Sequence, residues 1–149
     1  MKASDPQAIL VPSGSGTSLR DVGVTHKLTS SQTGGAYYMF EAEFEPESGT
    51  RVHVHRDEDE VVHVLEGAIE IRLGTRTLQA GAGDVAHLPK HIPHALYNPL
   101  KTPLRILAIA IPGGMEGFFD EMSTAMMEPG FDETKRHSIS EKYGITWLE

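Results

Sequence analysis

The sequence predicts an all-β antiparallel sandwich or barrel followed by one or two C-terminal helices, and three observations carry that reading. Short segments with a period of two recur along the middle of the chain, glycine or proline separates them, and no helical spacing of apolar residues occurs before residue 114. A parallel fold needs a helix between successive strands, so this pattern excludes one.

The stretches 11–17 (VPSGSGT) and 30–35 (SSQTGG) are rich in turn formers and read as loops. The first clean strand covers 36–44: Ala36, Tyr38, Phe40, Ala42 and Phe44 share one face, and Tyr37, Met39, Glu41 and Glu43 share the other. The segment holding His53 and His55 reads as another strand, and Glu60 opens a further apolar one over 61–65. After a turn at Gly67, Ile69, Ile71 and Leu73 alternate with Glu70 and Arg72. Short strands follow at 76–80, 84–88, 94–97 and 104–111. The period then changes, with Met115, Phe118, Phe119, Met122 and Met126 at helical spacing and Pro129-Gly130 ending the run. This stripe reads as a face packed against the barrel rather than a cofactor pocket. A second helix is expected over 132–143, with Gly144 placed to cap it.

A length of 149 residues suits one domain spanning 1–149, with the barrel core at about 36–111 and the helical segment at about 114–144. The formal net charge is −8, and acidic residues gather between Glu41 and Glu47 and between Asp57 and Glu60, so polyphosphates and anionic membranes are repelled. Neither nucleic acid nor a membrane is an expected partner. The chain has no cysteine, which excludes disulfides, thiolate metal sites and cysteine nucleophiles. The opening MKASDPQAIL lacks the apolar run of a signal peptide or a membrane span, and a cytoplasmic location is the resulting expectation.

The segment 49–67, GTRVHVHRDEDEVVHVLEG, carries the chemistry. Side chains two apart on a strand point the same way, so His53 and His55 can converge on one ion. Glu60 begins the next buried strand, where a carboxylate is costly without a partner, and it can return beside the histidine pair. His94, in GDVAHLPKHIPHALYN, offers a fourth ligand where Pro89 and Pro93 fix the chain as it enters another strand. Three imidazoles and one carboxylate suit a single divalent transition metal: iron, manganese, nickel, zinc, cobalt or copper. Val62 and Val64 share the face of Glu60, so His63 points away and is structural. His87 and His91 read as ordinary polar residues near His94, and His26 and His137 have no motif around them.

Both segments resemble the two sequence motifs of the cupin superfamily. His53, His55, Glu60 and Gly67 match the first, although Gly49 stands closer to His53 than the family pattern has it; Gly83, Pro89, His94 and Asn98 match the second, with His91 in place of a glycine. Histidine tolerates the positive φ of such a position better than most residues. The resemblance implies a jelly-roll β-barrel. The pieces TGGAYYMFEAEF, PGGMEGFFDE and EKYGITWL are similar to small cupins grouped with quercetin dioxygenases. That likeness implies a metal-dependent dioxygenase acting on a small enolic or phenolic substrate, with Glu60 as a catalytic residue that takes the substrate hydroxyl proton. The alternatives are a non-catalytic small-molecule binding or sensing module, and a metal-dependent isomerase or lyase. A homodimer is also expected, because Val61, His63 and Leu65 form an outward strand face and 104–111 is apolar on both faces apart from Arg105.

Overall fold

The computed structural model describes residues 8–148. In chain order the elements are β1 (Thr17–Leu19), β2 (Val24–Leu28), α1 (Ser30–Thr33), β3 (Tyr38–Phe44), β4 (His53–His55), β5 (Asp59–Glu66), β6 (Ala68–Leu73), β7 (Arg76–Gly81), β8 (Val85–Leu88), β9 (His94–Tyr97), β10 (Leu104–Ile111), α2 (Glu116–Met126), α3 (Glu133–Lys142) and β11 (Ile145–Trp147). They form two antiparallel sheets, of order β1-β2-β3-β10-β5-β8 and β11-β4-β9-β6-β7, which face each other as a jelly-roll barrel.

Period-two patterning explains the inner faces. On β3 the buried residues are Tyr38, Phe40 and Ala42, on β5 they are Glu60, Val62 and Val64, and on β10 they are Leu104, Ile106, Ala108 and Ala110. Glu60 is the one charged member of that inner face, in register with Ala110, which is itself in register with Tyr38. The sheet lines therefore carry one carboxylate into the barrel.

Four elements differ from the sequence reading. Strands β1 and β2 precede the expected barrel core. Strand β2 reads VTHKL, and its only fully buried apolar residue is Val24, because the other buried position is His26. His26 is buried between the Tyr38 hydroxyl, 2.5 Å from its Nδ1, and the Asp120 carboxylate, 2.8 Å from its Nε2. Hydrophobic alternation cannot register a strand whose core contact is polar. The segment 30–35 is likewise not all loop: α1 is a single turn in which the Gln32 side chain accepts the Thr29 N–H at 2.9 Å, closed by Gly34 at φ 63°. After α3, Gly144 turns the chain at φ 72° and β11 pairs with β4, setting Ile145 opposite His55 and Trp147 opposite His53.

The two long helices fall within the ranges expected for them. Asp132 caps α3 by accepting the Lys135 N–H at 2.9 Å. Met115, Phe118 and Met122 of the α2 stripe are buried, whereas Met126 is exposed, so the packing face is shorter than the pattern implied.

Motif positions with no chemical role have structural ones. Gly49 lies against β9, where a Cβ would stand 2.2 Å from the Leu96 carbonyl oxygen, so no larger residue fits. His91 adopts φ 70°, the left-handed conformation its place in the motif demands, and its N–H donates to the His55 carbonyl at 2.8 Å. Asn98 is fully buried; its amide donates to the carbonyls of Thr102, Glu45 and Phe44 at 2.8, 3.1 and 3.3 Å, and its oxygen accepts the Leu100 N–H at 3.1 Å. Losing a buried polar partner costs about 1–3 kcal/mol for each group stranded, so Asn98→Ala is expected to cost roughly 2–4 kcal/mol in denaturant unfolding. A loss below about 0.5 kcal/mol, the scale of an ordinary surface substitution, would contradict this role for the amide.

Candidate metal centre

The H-x-H spacing on β4 turns both imidazoles inward, and β9 runs antiparallel to β4 with His94 in register with His53. The ring of His53 lies 4.5 Å from that of His94 and 5.1 Å from that of His55, centroid to centroid, and the rings of His55 and His94 are 5.2 Å apart. One nitrogen from each histidine falls within 4.8 Å of the other two. Glu60, from the facing sheet, presents Oε1 at 3.6 Å from His55 Nε2 and Oε2 at 3.5 Å from His94 Nε2. All four side chains are buried. The structure thus brings together the four residues singled out in the sequence.

Polar groups shut away from water normally find partners, and here several do not. Both ring nitrogens of His55 and both of His94 are buried without a hydrogen bond. His53 differs, since its Nδ1 donates to the Arg51 carbonyl at 2.7 Å, leaving Nε2 as the free donor atom. Unpartnered imidazole nitrogens beside one carboxylate are a donor set that fits a divalent transition ion. The residues could equally have been satisfied by one another, but the spacings of 3.5 and 3.6 Å are longer than hydrogen bonds.

Electrostatics agree with that fit. Burial, with the neighbouring His94 and His55, lowers His53 to a pKa of about 4, so it is neutral and ready to ligate at pH 7. Burial also pulls on His55, but the facing carboxylates of Glu58 and Glu60 outweigh it and raise its pKa above the ordinary 6.5. Burial would raise Glu60, yet the three histidines facing it, His94 foremost, hold its pKa down at about 2, so it is an anion throughout the neutral range.

A cavity of about 500 Å³ opens from the histidines toward solvent. His53, His55 and Glu60 line its polar end, while Phe40, Leu96, Phe118, Phe119, Ile145 and Trp147 supply apolar wall. The small inward residues Ala42 and Ala108 leave the space that larger side chains would fill. The α2 stripe therefore does more than pack, because Met115, Phe118 and Phe119 also border the cavity. His63 points outward as expected, opposite Leu107 and Val85, and His87 and His91 are exposed away from the cavity lining.

Sequence reasoning missed two residues here. Glu58 sits in the polar run DEDE, where nothing marks burial, yet it is only 6% exposed. Trp147 lies in β11, and the pair Ile145 and Trp147, two apart after Gly144, was the available signal for that strand. The indole packs on His53 with ring centroids 5.0 Å apart and donates its N–H to Ser140 Oγ at 2.7 Å.

As the only tryptophan, Trp147 is a built-in reporter. Nickel or copper binding at the histidines is expected to quench its emission. Acid should reverse this as protons compete for the imidazoles: metal must displace the proton that the raised His55 retains, so affinity falls as pH drops through and just above the ordinary value of 6.5. Titration of emission against pH checks this, and release only below about pH 4.5 would contradict ligation by His55.

A two-sheet antiparallel barrel with an inward H-x-H pair, a glutamate and a third histidine is the arrangement that the two sequence motifs imply. The cupin domain family model matches residues 40–110, a little under half of the chain. An uncharacterized protein of Methanocaldococcus jannaschii is 31% identical over 65 residues, which is 44% of this chain and 52% of that protein. The chain thus matches about half the length of that curated relative. TT1209 from Thermus thermophilus is 27% identical with a TM-score of 0.50, over 52% of this chain and 74% of that one. The polyketide cyclase RemF from Streptomyces resistomycificus is 25% identical with a TM-score of 0.52, over 60% and 65% of the two chains. Among the described residues, no helix is long and apolar enough to cross a membrane.

Proposed function

We propose that the chain is a metal-dependent enzyme for a small enolic or phenolic substrate, held by its hydroxyl end at His53, His55, Glu60 and His94, and that the reaction is a dioxygenation of the kind seen in the quercetin dioxygenase-like cupins. The observation that carries this reading is the position of Glu60, whose carboxylate lies both against the histidines and on the wall of a cavity with a largely apolar lining. A divalent iron, manganese, nickel, cobalt, copper or zinc ion there would act as a Lewis acid toward the substrate oxygen. Glu60 accepts the hydroxyl proton. The histidines around Glu60 hold its carboxylate below the usual range, so it is a weak base, and a hydroxyl acidified by a bound ion, such as that of an enol or phenol, would suit it better than an alcohol. The apolar walls exclude water around the activated substrate, and Phe40, Phe119 and Trp147 offer ring surfaces to its carbon framework.

Oxygen uptake in a screen of flavonols, diketones and catechols, with each metal in turn, tests the reading. Turnover that consumes dioxygen supports it. Turnover that proceeds equally well without dioxygen replaces it with an isomerase, lyase or cyclase, a second reading that the likeness to RemF favours. Binding without turnover assigns a sensing module instead.

The enzyme in this reading is a homodimer. Helix α2 packs chiefly against the turn at 20–22, β1 and α3, and α3 packs on β11, so the outward rows Met39–Ile109–Val61 and Leu107–His63–Val85 gain little cover from either. Light scattering is expected to give twice 16.3 kDa at micromolar concentration, and a monomer would end this part of the proposal.

A further inference from the structure

A neutral imidazole ligates through one nitrogen only, and the other carries a proton that is normally donated to an acceptor fixing the ring. For His53 that acceptor is the Arg51 carbonyl, at 2.7 Å from Nδ1. A carbonyl can only accept, so the proton is on Nδ1 and Nε2 faces the cluster. His55, two residues on, has no such carbonyl; its ring stands between two carboxylates. Nε2 faces Glu60 Oε1 at 3.6 Å, and Nδ1 faces Glu58 Oε2 at 3.7 Å. His55 Nδ1 and Glu58 Oε2 are both buried, and neither has a hydrogen-bond partner.

Glu58 is out of place for a residue of a polar connection. The side chain is 7% exposed, while its neighbours Arg56 and Asp57 remain at the surface and pair with each other at 2.9 Å. A carboxylate oxygen buried without a donor is costly, and the atom it confronts is the one imidazole nitrogen the metal would not use. A contraction of roughly 0.5–1 Å would make the pair a hydrogen bond.

We propose that Glu58 is a positioning residue for the metal centre: its carboxylate holds His55 in the tautomer that turns the Nε2 lone pair toward the ion, as the Arg51 carbonyl does for His53. This rests on the metal site proposed above. Glu58 also places a second negative charge next to the donor set, behind His55 and outside the cavity lining, where it touches neither substrate nor ion.

Two measurements test it on the full chain. In metal-free protein at a pH high enough to leave His55 neutral, nitrogen NMR of labelled histidine is expected to show His55 protonated on Nδ1, and Glu58→Ala should convert it to a mixture of tautomers while His53 is unchanged. Competition against a chromophoric chelator, with zinc alone as the probe, is expected to show about 10- to 100-fold weaker binding in Glu58→Ala. Glu58→Gln, which keeps an acceptor oxygen, should retain the tautomer and recover part of the affinity. Glu58→Met, similar in size and lacking an acceptor, takes the place of the alanine variant if that variant does not fold. Parent-like tautomer and parent-like affinity in the alanine or methionine variant would overturn the role of Glu58 alone. Failure of the parent to bind zinc at all would overturn the metal site, and the positioning role with it.

Discussion

Replacing His94 or His55 with alanine is expected to weaken metal binding by roughly 10²–10³-fold while the barrel stays folded. The magnitude follows from the whole: four-ligand transition-metal sites bind with about 10–16 kcal/mol, so an average ligand contributes roughly a quarter, about 2.5–4 kcal/mol. The fold should survive because each substitution removes a ring from a polar cluster and leaves the apolar core intact. Each also removes two buried nitrogens that have no hydrogen-bond partner. The flanking core residues Val62, Ile71 and Leu88 keep their burial. Elemental analysis after dialysis against a competing chelator gives the metal content, and far-UV circular dichroism gives the fold. His63→Ala, on the outward face of β5, is the control and should retain full metal. Stoichiometric metal in both His55→Ala and His94→Ala would refute the four-ligand centre.

Metal-replete Glu60→Gln is expected to bind substrate yet turn over at least about a hundredfold more slowly, since a general base typically contributes 10²–10⁴ in rate. Glutamine keeps the size of the side chain and one ligating oxygen, so excess metal should refill the site. The amide has no basic oxygen to take a proton, and that step is lost. Because the Glu60 carboxyl is held down at about 2, it is ionised at every pH where the protein would be assayed. The defect should therefore be constant from about pH 6 to pH 9, with the acid limb of the parent profile set by protons competing at His55. Parent-like rates in the metal-replete variant would leave Glu60 as a ligand alone.

Where a residue's role depends on its own periodicity, it was legible in the chain. Tyr38, Phe40 and Ala42 face inward because a strand has a period of two, and the same rule turns His53 and His55 together and sends His63 outward. The α2 stripe and the Gly144 end of α3 follow from helical spacing and capping chemistry in the same way. The two motifs extended this to Glu60 and His94, whose convergence from separate strands no local rule predicts.

Tertiary structure alone decided the rest. Glu58 and Asp57 are adjacent acidic residues of one polar run, and only the approach of His55 distinguishes the buried one from the exposed one. His26 owes its burial to Tyr38 and Asp120, which are 12 and 94 residues away. Trp147 reaches His53 because α3 returns the chain to the free edge of β4, and Met115, Phe118 and Phe119 become cavity wall because α2 packs beside the cavity. The physical reason is common to all of them: periodicity is a property of a residue and its neighbours in the chain, so it determines which way a side chain points. Burial of a polar group is decided by what meets it from elsewhere, and only the packed barrel brings those partners together.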